Sequence, residues 1–239
     1  MLARAAAVVG VAMLVLSTSC SSPDVRPAAS PTAPATATAT SVGPATATAG
    51  ARTVVFIGDS WTDGTGALRS GGFPALTAEL LGWEYTELGV SGSGYVVPGA
   101  GGPFRSRIAQ AVAGAPDVIV VQGSLNDQRV DVDELGRAAL HTLTELRQEA
   151  DPATDILVVG APDAPGTDPV RIDRVNDAVS AAVSAAAAAA DVRFVDPAAE
   201  GWTDPDDPAL WADPIHPNDA GHREIAERLA PILEDVVQR

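Results

Sequence analysis

Lysine is absent from this chain of 239 residues, so all 15 of its basic residues are arginine. Without lysine, Schiff-base chemistry and the lysine-dependent phosphate-binding loop are both excluded. Acidic residues number 31, and the resulting formal charge of −16 argues against nucleic-acid binding, because a phosphate backbone requires a basic partner surface. Any chemistry must therefore come from other side chains.

Cysteine occurs once, at position 20, so the remainder of the chain can form no disulfide and use no thiolate. Residues 1–20 contain Arg4, then an apolar run shorter than the ~20 residues that span a bilayer, then small residues. This pattern predicts a secretory signal peptide. Cys20 lies where a bacterial lipoprotein signal has its lipidated residue, but Ser17 stands where that signal has Leu, Val or Ile. Lipidation of Cys20 and ordinary cleavage therefore both stay open.

Residues 21–50 consist largely of Ala, Thr, Pro and Ser without hydrophobic periodicity. This composition predicts a disordered, extended tether, which either holds a domain away from a membrane or wall or is only a solubilising spacer. Residues 51–239 are enough for one domain with a sizeable core. Because the sequence shows no interface signal, we expect a monomer. We expect it to be secreted or held in the cell envelope, with a membrane anchor if Cys20 is lipidated.

Short apolar runs alternate with longer segments of helical period over residues 51–239. This alternation predicts an α/β domain whose doubly wound parallel sheet is covered by helices on both faces. Loops that follow the first three strands should then gather at one edge of the sheet, where such folds bind ligands. The predicted strands cover residues 53–57, 85–90, 117–121, 155–160 and 192–195, and the predicted helices cover residues 72–81, 103–113, 132–150, 169–190 and 218–237.

Four polar motifs stand in loops that should converge at this edge. They are Gly-Asp-Ser at 58–60, a Gly/Ser-rich loop at 89–94, Gly-Ser-Leu-Asn-Asp at 123–127, and Asp-Pro-Ile-His at 213–216. Each motif alone is a weak signal, because turns, flexible loops and Asx caps use the same residues. Together they offer every group that acyl transfer by a serine needs: a nucleophile, a base, an orienting acid and oxyanion donors.

One residue is available for each of these roles. Ser60 is the candidate nucleophile, His216 the base that takes its proton, and Asp213 the acid that orients the imidazole. The backbone N–H groups of Ser60 and Gly92 and the side-chain amide of Asn126 are the candidate oxyanion donors. Glycine suits this role because a residue without Cβ allows close approach.

This arrangement resembles the SGNH hydrolase family, also called GDSL esterases and lipases, whose four sequence blocks appear here in order. Trp61 follows Ser60 where the eponymous Leu would stand, and the third block is one residue longer than Gly-x-Asn-Asp. Gly92 and Gly94 are both candidates for the donor of the second block. The resemblance implies a three-layer, flavodoxin-like α/β/α fold with a five-stranded parallel sheet. It also implies hydrolysis or transfer of an acyl ester without a cofactor.

Aromatic residues make up only 4% of the chain, yet several fall beside these motifs. Trp61, Tyr95 and Trp211 are candidate substrate-binding residues that would line an acyl pocket or stack on a sugar ring. The alternative is that they pack the loops onto the sheet. Arg105 and Arg107 would either meet an anionic group of the substrate or be solvated.

No metal site is expected, because only two of the three histidines, His216 and His222, are close in sequence. His222 is predicted to face solvent or to cap the last helix, and His141 to lie on the surface. Asp59 and Asp127 are predicted to brace turns through hydrogen bonds to the backbone rather than to take part in the chemistry.

The leading hypothesis is an exported serine esterase that cleaves a small-molecule, lipid or glycan ester through an acyl-enzyme. A second hypothesis is an acyltransferase that acts on envelope glycan or lipid, because water and a sugar hydroxyl are equivalent attackers on an acyl-enzyme. The third is a tethered binding module without activity. The pairing of Asp213 with His216 argues against this third hypothesis, since a binding module has little use for it.

Overall fold

The computed structural model describes residues 50–68, 71–187 and 192–238. The predicted signal peptide, Cys20, and the predicted tether apart from Gly50 lie outside the described residues. Within those residues, no helix has both the length and the apolar character that crossing a membrane requires.

A parallel sheet of five strands forms the centre of the domain, in the order β2-β1-β3-β4-β5. Its three inner strands are rich in Val, Ile and Leu because the interior of such a sheet is buried on both faces. The observed order is the flavodoxin-like one, which reverses direction between β1 and β3 and opens a crevice there at the carboxyl ends of the strands. The predicted α/β fold is thus confirmed. The strands are β1 (Thr53–Gly58), β2 (Glu84–Gly89), β3 (Val118–Gln122), β4 (Asp155–Val159) and β5 (Val192–Val195).

Helices cover both faces of the sheet and divide the core into two clusters. Val55 and Ile57 of β1 belong to the cluster that includes buried residues of α3 and α4. Val54 and Phe56 point to the opposite face, in the cluster with residues of α1 and α5. This alternation along one strand is what a three-layer sandwich requires. The helices are α1 (Gly72–Leu81), α2 (Ile108–Ala111), α3 (Val132–Glu149), α4 (Pro169–Ala187) and α5 (Asp219–Val236).

The helix predicted over residues 103–113 is the largest departure from the expected elements. The structure has a 3₁₀ turn over Phe104–Arg107 and then only the single helical turn of α2. Gly102 and Gly114 bound this segment with φ values of +89° and +90°, which interrupt helical geometry on both sides. Between these glycines the 3₁₀ turn and the single helical turn together bury Phe104 and Ile108.

Asn218 joins the start of α5 to the loop that precedes it. Its Oδ1 accepts hydrogen bonds from the N–H groups of Ala220 and Gly221, at 2.8 and 3.2 Å, which caps the helix. Its Nδ2 donates to the carbonyls of Ala209 and Trp211, at 2.9 and 3.3 Å. One side chain therefore fixes both the helix and the loop that lies between residues 209 and 218.

We predict that Asn218→Ala lowers the free energy of unfolding by about 1–2 kcal/mol, because the first turn of α5 loses its cap. Asn218→Ser is the matched variant, since serine keeps a capping oxygen and loses only the two amide donors. Urea unfolding should therefore show a smaller loss for the serine variant than for the alanine variant. Equal stability of the alanine variant and the wild type would contradict this role.

Candidate active site

The turn that carries Ser60 begins at the last residue of β1. A Cβ on Gly58 would lie 2.0 Å from Oγ1 of Thr62 and 2.8 Å from the carbonyl oxygen of Gln122, so only glycine fits there. Oγ1 of Thr62 donates to Oε1 of Gln122 at 2.8 Å. The turn is thereby fixed to the end of β3, and it presents Ser60 at the crevice beside the topological switch point.

Ser60, His216 and Asp213 form a continuous chain of hydrogen bonds. Nε2 of His216 lies 3.0 Å from Oγ of Ser60, and Nδ1 of His216 lies 2.8 Å from Oδ2 of Asp213. Only 8% of the Ser60 surface is exposed. The imidazole thus reaches the hydroxyl with one nitrogen while the carboxylate holds the other, which is the geometry for deprotonating a serine.

Asp213 is held by the loop it belongs to. Its Oδ1 accepts the backbone N–H groups of Ile215 and His216 at 2.7 and 2.8 Å, and the loop closes through a bridge between Trp211 and Pro217. Burial alone would raise the pKa of the Asp213 carboxyl, but hydrogen bonds from the His216 ring and from these two N–H groups outweigh it. The net effect is a pKa below the ordinary value, which keeps Asp213 ionised.

The structure distinguishes between the two candidate glycines of the second loop. The N–H of Gly94 donates to the carbonyl of Val97 at 2.7 Å, and a Cβ on Gly94 would lie 2.2 Å from Oδ2 of Asp127. Within the described chain, the N–H groups of Gly92 and Ser60 make no hydrogen bond to protein. Gly92, whose φ is +77°, is therefore the glycine with a free donor.

Asn126 reaches the same loop from the end of β3. It lies in a 3₁₀ turn that follows Ser124. Ser124 has a φ of +93°, and this left-handed residue makes room in the loop for the one residue by which the motif is longer than Gly-x-Asn-Asp. Nδ2 of Asn126 donates one hydrogen to the carbonyl of Ser93 at 2.8 Å. The second amide hydrogen remains available for a substrate oxygen.

Asp127 braces the loop that follows β2, as predicted. Its carboxylate accepts the N–H groups of Tyr95, Val96 and Val97 at 2.7, 3.2 and 2.9 Å, and also the hydroxyl of Ser124 at 3.0 Å. A buried carboxylate with four donors is fully used by the structure. It is therefore not free to act on a substrate.

Two of the three candidate substrate-binding aromatics lie in the core, as the packing alternative predicts. Only 1% of Trp61 is exposed, and it belongs to the core cluster of α1 and α5, where its ring meets that of Trp211 at 5.9 Å. Tyr95 is buried against Phe104, with ring centroids 4.9 Å apart. Because the core covers them, Trp61 and Tyr95 offer no face to a bound ester, which corrects the prediction. Trp211 is half-buried.

The prediction that His222 faces solvent or caps the last helix is wrong, since the cap is Asn218. His222 is fully buried: Nδ1 accepts the N–H of Phe73 at 3.1 Å, and Nε2 lies 3.1 Å from the carbonyl of Thr65. Burial is the main cause that lowers the pKa of its imidazole. Ile225 and Leu229 follow at helical spacing, so the apolar face of α5 already indicated burial. His141 is exposed, as predicted.

Asp59 is a fully buried carboxyl beside the candidate nucleophile. Oδ1 accepts the N–H of Trp61 at 2.9 Å, which confirms the predicted bracing role, whereas Oδ2 has no hydrogen-bond partner within the described chain. Burial raises the pKa of Asp59 from 3.8 to about 7, although the Trp61 N–H and the charges of His216 and Arg107 act in the opposite direction. In the part of the chain that is described, no cluster of His, Cys, Asp or Glu side chains could hold a metal ion.

Comparison with known proteins identifies relatives with the same fold and related activities. The model of the GDSL-like lipase/acylhydrolase family matches residues 56–224. The GDSL lipase Rv0518 of Mycobacterium tuberculosis is 33% identical over an alignment of 190 residues, and the match covers 75% of this chain and 80% of the relative. A family two carbohydrate esterase from Clostridium thermocellum, in complex with cellohexaose, superposes with a TM-score of 0.62 at 23% identity, over 77% of this chain and 64% of that one.

A family 3 carbohydrate esterase from Clostridium thermocellum also superposes with a TM-score of 0.62. It is 19% identical, and the match covers 79% of this chain and 98% of the esterase. At these identities the two superpositions show the shared fold.

We predict that Asp59→Asn changes how stability depends on pH. Between the unfolded value of 3.8 and about 7, the folded wild type keeps a proton that the unfolded chain has released, so it loses stability as pH rises. Asparagine has no such proton. The variant should therefore gain stability relative to wild type between about pH 4 and pH 8, by on the order of 4 kcal/mol.

Urea unfolding at several pH values across this window measures the difference. Asp177→Asn, on the exposed side of α4, controls for the loss of one negative charge. A difference between the Asp59→Asn variant and wild type that stays constant with pH would contradict a protonated, buried Asp59.

Proposed function

This chain belongs to the GDSL-like lipase/acylhydrolase family and is an ester hydrolase, and from that premise we propose that it cleaves short acyl esters of a carbohydrate through a Ser60-His216-Asp213 triad. The observation that carries the proposal is the chain of hydrogen bonds from Ser60 Oγ to His216 at 3.0 Å and from His216 to Asp213 at 2.8 Å.

The first half-reaction forms an acyl-enzyme. Nε2 of His216 takes the proton of the Ser60 hydroxyl as Oγ attacks the ester carbonyl carbon, and the imidazolium that forms is stabilised by the ionised Asp213. His216 then gives that proton to the departing alcohol oxygen as the carbon–oxygen bond breaks. The alcohol leaves, and the acyl group stays on Oγ.

Negative charge develops on the carbonyl oxygen during this attack. The N–H groups of Ser60 and Gly92 have no protein acceptor in the described chain, and Asn126 has a second amide hydrogen, so these three groups are the proposed oxyanion hole. Removing one such donor costs about 2.7–4 kcal/mol of transition-state stabilisation. In the second half-reaction His216 deprotonates a water that attacks the acyl-enzyme, and the same donors serve again.

A short acyl group is supported by the burial of the aromatic side chains beside the nucleophile. Trp61 and Tyr95 lie in the core and leave no aromatic slot for a long chain. A hydroxyl-rich alcohol is supported by three residues that we call the polar edge: Asp63, Thr65 and Ser91. Oγ of Ser91 donates to Oδ2 of Asp63 at 2.9 Å and lies 3.3 Å from Oγ1 of Thr65.

The position of the polar edge suits the alcohol part of such an ester. Asp63 and Ser91 are exposed, and Ser91 directly precedes Gly92, the proposed oxyanion donor. Two solved structures of similar fold are carbohydrate esterases, which is in line with a sugar at this position.

We predict that Ser60→Ala lowers the rate of p-nitrophenyl acetate hydrolysis by at least ~10³-fold, because the nucleophile is lost, while the circular dichroism spectrum is unchanged. Ser184→Ala, at an exposed position on α4, is the matched control and should keep the wild-type rate. A Ser60→Ala variant with the wild-type rate would contradict the proposal.

The same panel, extended to longer acyl chains and to an acetylated oligosaccharide, tests the substrate. The rate should be highest for acetyl and fall with chain length. A preference for long chains would contradict the short-acyl proposal and favour a lipid ester. Product that forms only when a glycan acceptor is present would contradict hydrolysis and favour acyl transfer.

We further propose that residues 1–20 export the protein, that residues 21–50 act as a tether, and that lipidation of Cys20 anchors it at the outer face of the cytoplasmic membrane. In a bacterial host, Cys20→Ala should move the protein from the membrane fraction to another cell fraction or the medium. Wild-type protein found only in the medium would contradict lipidation and leave ordinary secretion.

A further inference from the structure

The sequence predicts that Arg107 either meets an anionic group of the substrate or is solvated, and the structure agrees with neither. It is neither solvated nor open to a substrate, since only 6% of its surface is exposed. Arg105, two residues earlier, is exposed and pairs with Glu145 of α3. The two arginines of this segment therefore have different roles, and the buried one needs an explanation because burying a cation costs free energy.

The guanidinium of Arg107 makes one hydrogen bond within the described chain. Nη2 donates to Oγ of Ser93 at 3.1 Å, and the guanidinium carbon lies 5.4 Å from the centroid of the Phe104 ring. Its Nε and Nη1 find no hydrogen-bond partner among the described residues. The charges of Asp59 and Glu87 favour the cation and oppose the effect of burial. A charge placed here at such cost points to a role beyond filling space.

Ser93 is the residue through which the second loop is held. Its Oγ donates to the carbonyl of Val90 at 2.7 Å, its N–H donates to the same carbonyl at 3.0 Å, and its carbonyl accepts Nδ2 of Asn126 at 2.8 Å. Oγ also accepts the hydrogen bond from Arg107. All the polar groups of Ser93 are thus engaged, and Ser93 directly follows Gly92.

Gly92 has no side chain to fix its orientation. A Cβ at this position would meet only one atom within 4 Å, the Cα of Gly99 at 3.8 Å. The N–H of Gly92 belongs to the peptide that joins it to Ser91, so the direction of this N–H depends on how the turn of residues 90–93 is closed. The hydrogen bonds of Ser93 supply that constraint.

We propose that Arg107 is a positioning residue that fixes the oxyanion loop through Ser93. The inference rests on the proposed function, because it assigns the N–H of Gly92 to the oxyanion hole. Arg107 touches no substrate. It holds Oγ of Ser93, and Ser93 donates its N–H to the carbonyl of Val90, which closes the turn that contains the peptide between Ser91 and Gly92. The N–H of Gly92 is thereby aimed before the substrate binds, which is the preorganisation that oxyanion stabilisation requires.

The kinetic test compares Arg107→Met, which keeps the length of the side chain without its donors, with Arg105→Met as the matched control. Arg107→Met should lower kcat on p-nitrophenyl acetate by roughly 10-fold with KM nearly unchanged, because oxyanion donors act mainly in the transition state. Arg105→Met should retain the wild-type kcat. Arg107→Lys, which keeps the charge and a donor, should recover part of the loss.

A double-mutant cycle shows whether Arg107 acts through Ser93. Ser93→Ala deletes the acceptor of the Arg107 hydrogen bond with a minimal change in volume. If Arg107→Met does not fold, the kcat of Ser93→Ala alone tests the same contact. The double variant should be no slower than the slower single variant, because both remove the same link. Losses in kcat that multiply, or an Arg107→Met variant that changes KM alone, would overturn the proposal.

Amide hydrogen exchange separates this inference from the proposed function. The amides of Ser93 and Gly94 are hydrogen-bonded, and in Arg107→Met they should exchange several-fold faster than in wild type or in Arg105→Met. Unchanged exchange would overturn the positioning role even in an active enzyme. Faster exchange in a protein whose esterase activity is absent or independent of Ser60 would support the loop contact and reject the proposed function.

Discussion

The hydrogen bond between Oγ of Ser60 and Nε2 of His216 joins residues 156 positions apart, and the rest of the site is arranged around it. Ser60 is held from one side, because the turn after β1 fits only around Gly58 and is tied to the end of β3 through Thr62. His216 is held from the other side by a short loop that ends at the cap of α5. A hydrogen bond of this length needs both supports, since a misplacement of about 1 Å is enough to lose much of the rate.

The sequence alone predicts the strands of the sheet and the local motifs of the candidate site. The strands were found within one or two residues, because runs such as Val118–Val121 are apolar on both faces and end at turn residues. The motif around Ser60 and the pair Asp213 and His216 were readable because local spacing determines them. The burial of Trp61, Tyr95 and Arg107 was not readable, since it depends on contacts between distant segments. For His222 the periodicity of α5 contained the signal, and the polar character of the side chain concealed it.

Buried polar groups beneath the carboxyl edge of the sheet have unequal numbers of partners. Among the residues that the structure describes, Asp127 accepts four hydrogen bonds, while Asp59 accepts one and leaves Oδ2 without a partner. A carboxyl in the second situation is easier to bury when it is protonated, and this accounts for its raised pKa. The domain therefore carries an energetic penalty at neutral pH next to its candidate nucleophile. Strain of this kind is common where a functional turn must be held in one geometry.

The buried and the exposed side chains of the site have different proposed parts in catalysis and substrate binding. Asp127, Ser93 and Arg107 are buried and hold the loops that carry the proposed oxyanion donors. The polar edge lies at the surface, where Asp63 and Ser91 are exposed. If Gly92 and Asn126 are the oxyanion donors that we propose, they are held by buried side chains, while the polar edge faces the solvent from which an alcohol would approach. In the proposed function, chemistry and substrate choice would therefore rest largely on different side chains, and we expect the exposed set to vary first between esterases of different substrate.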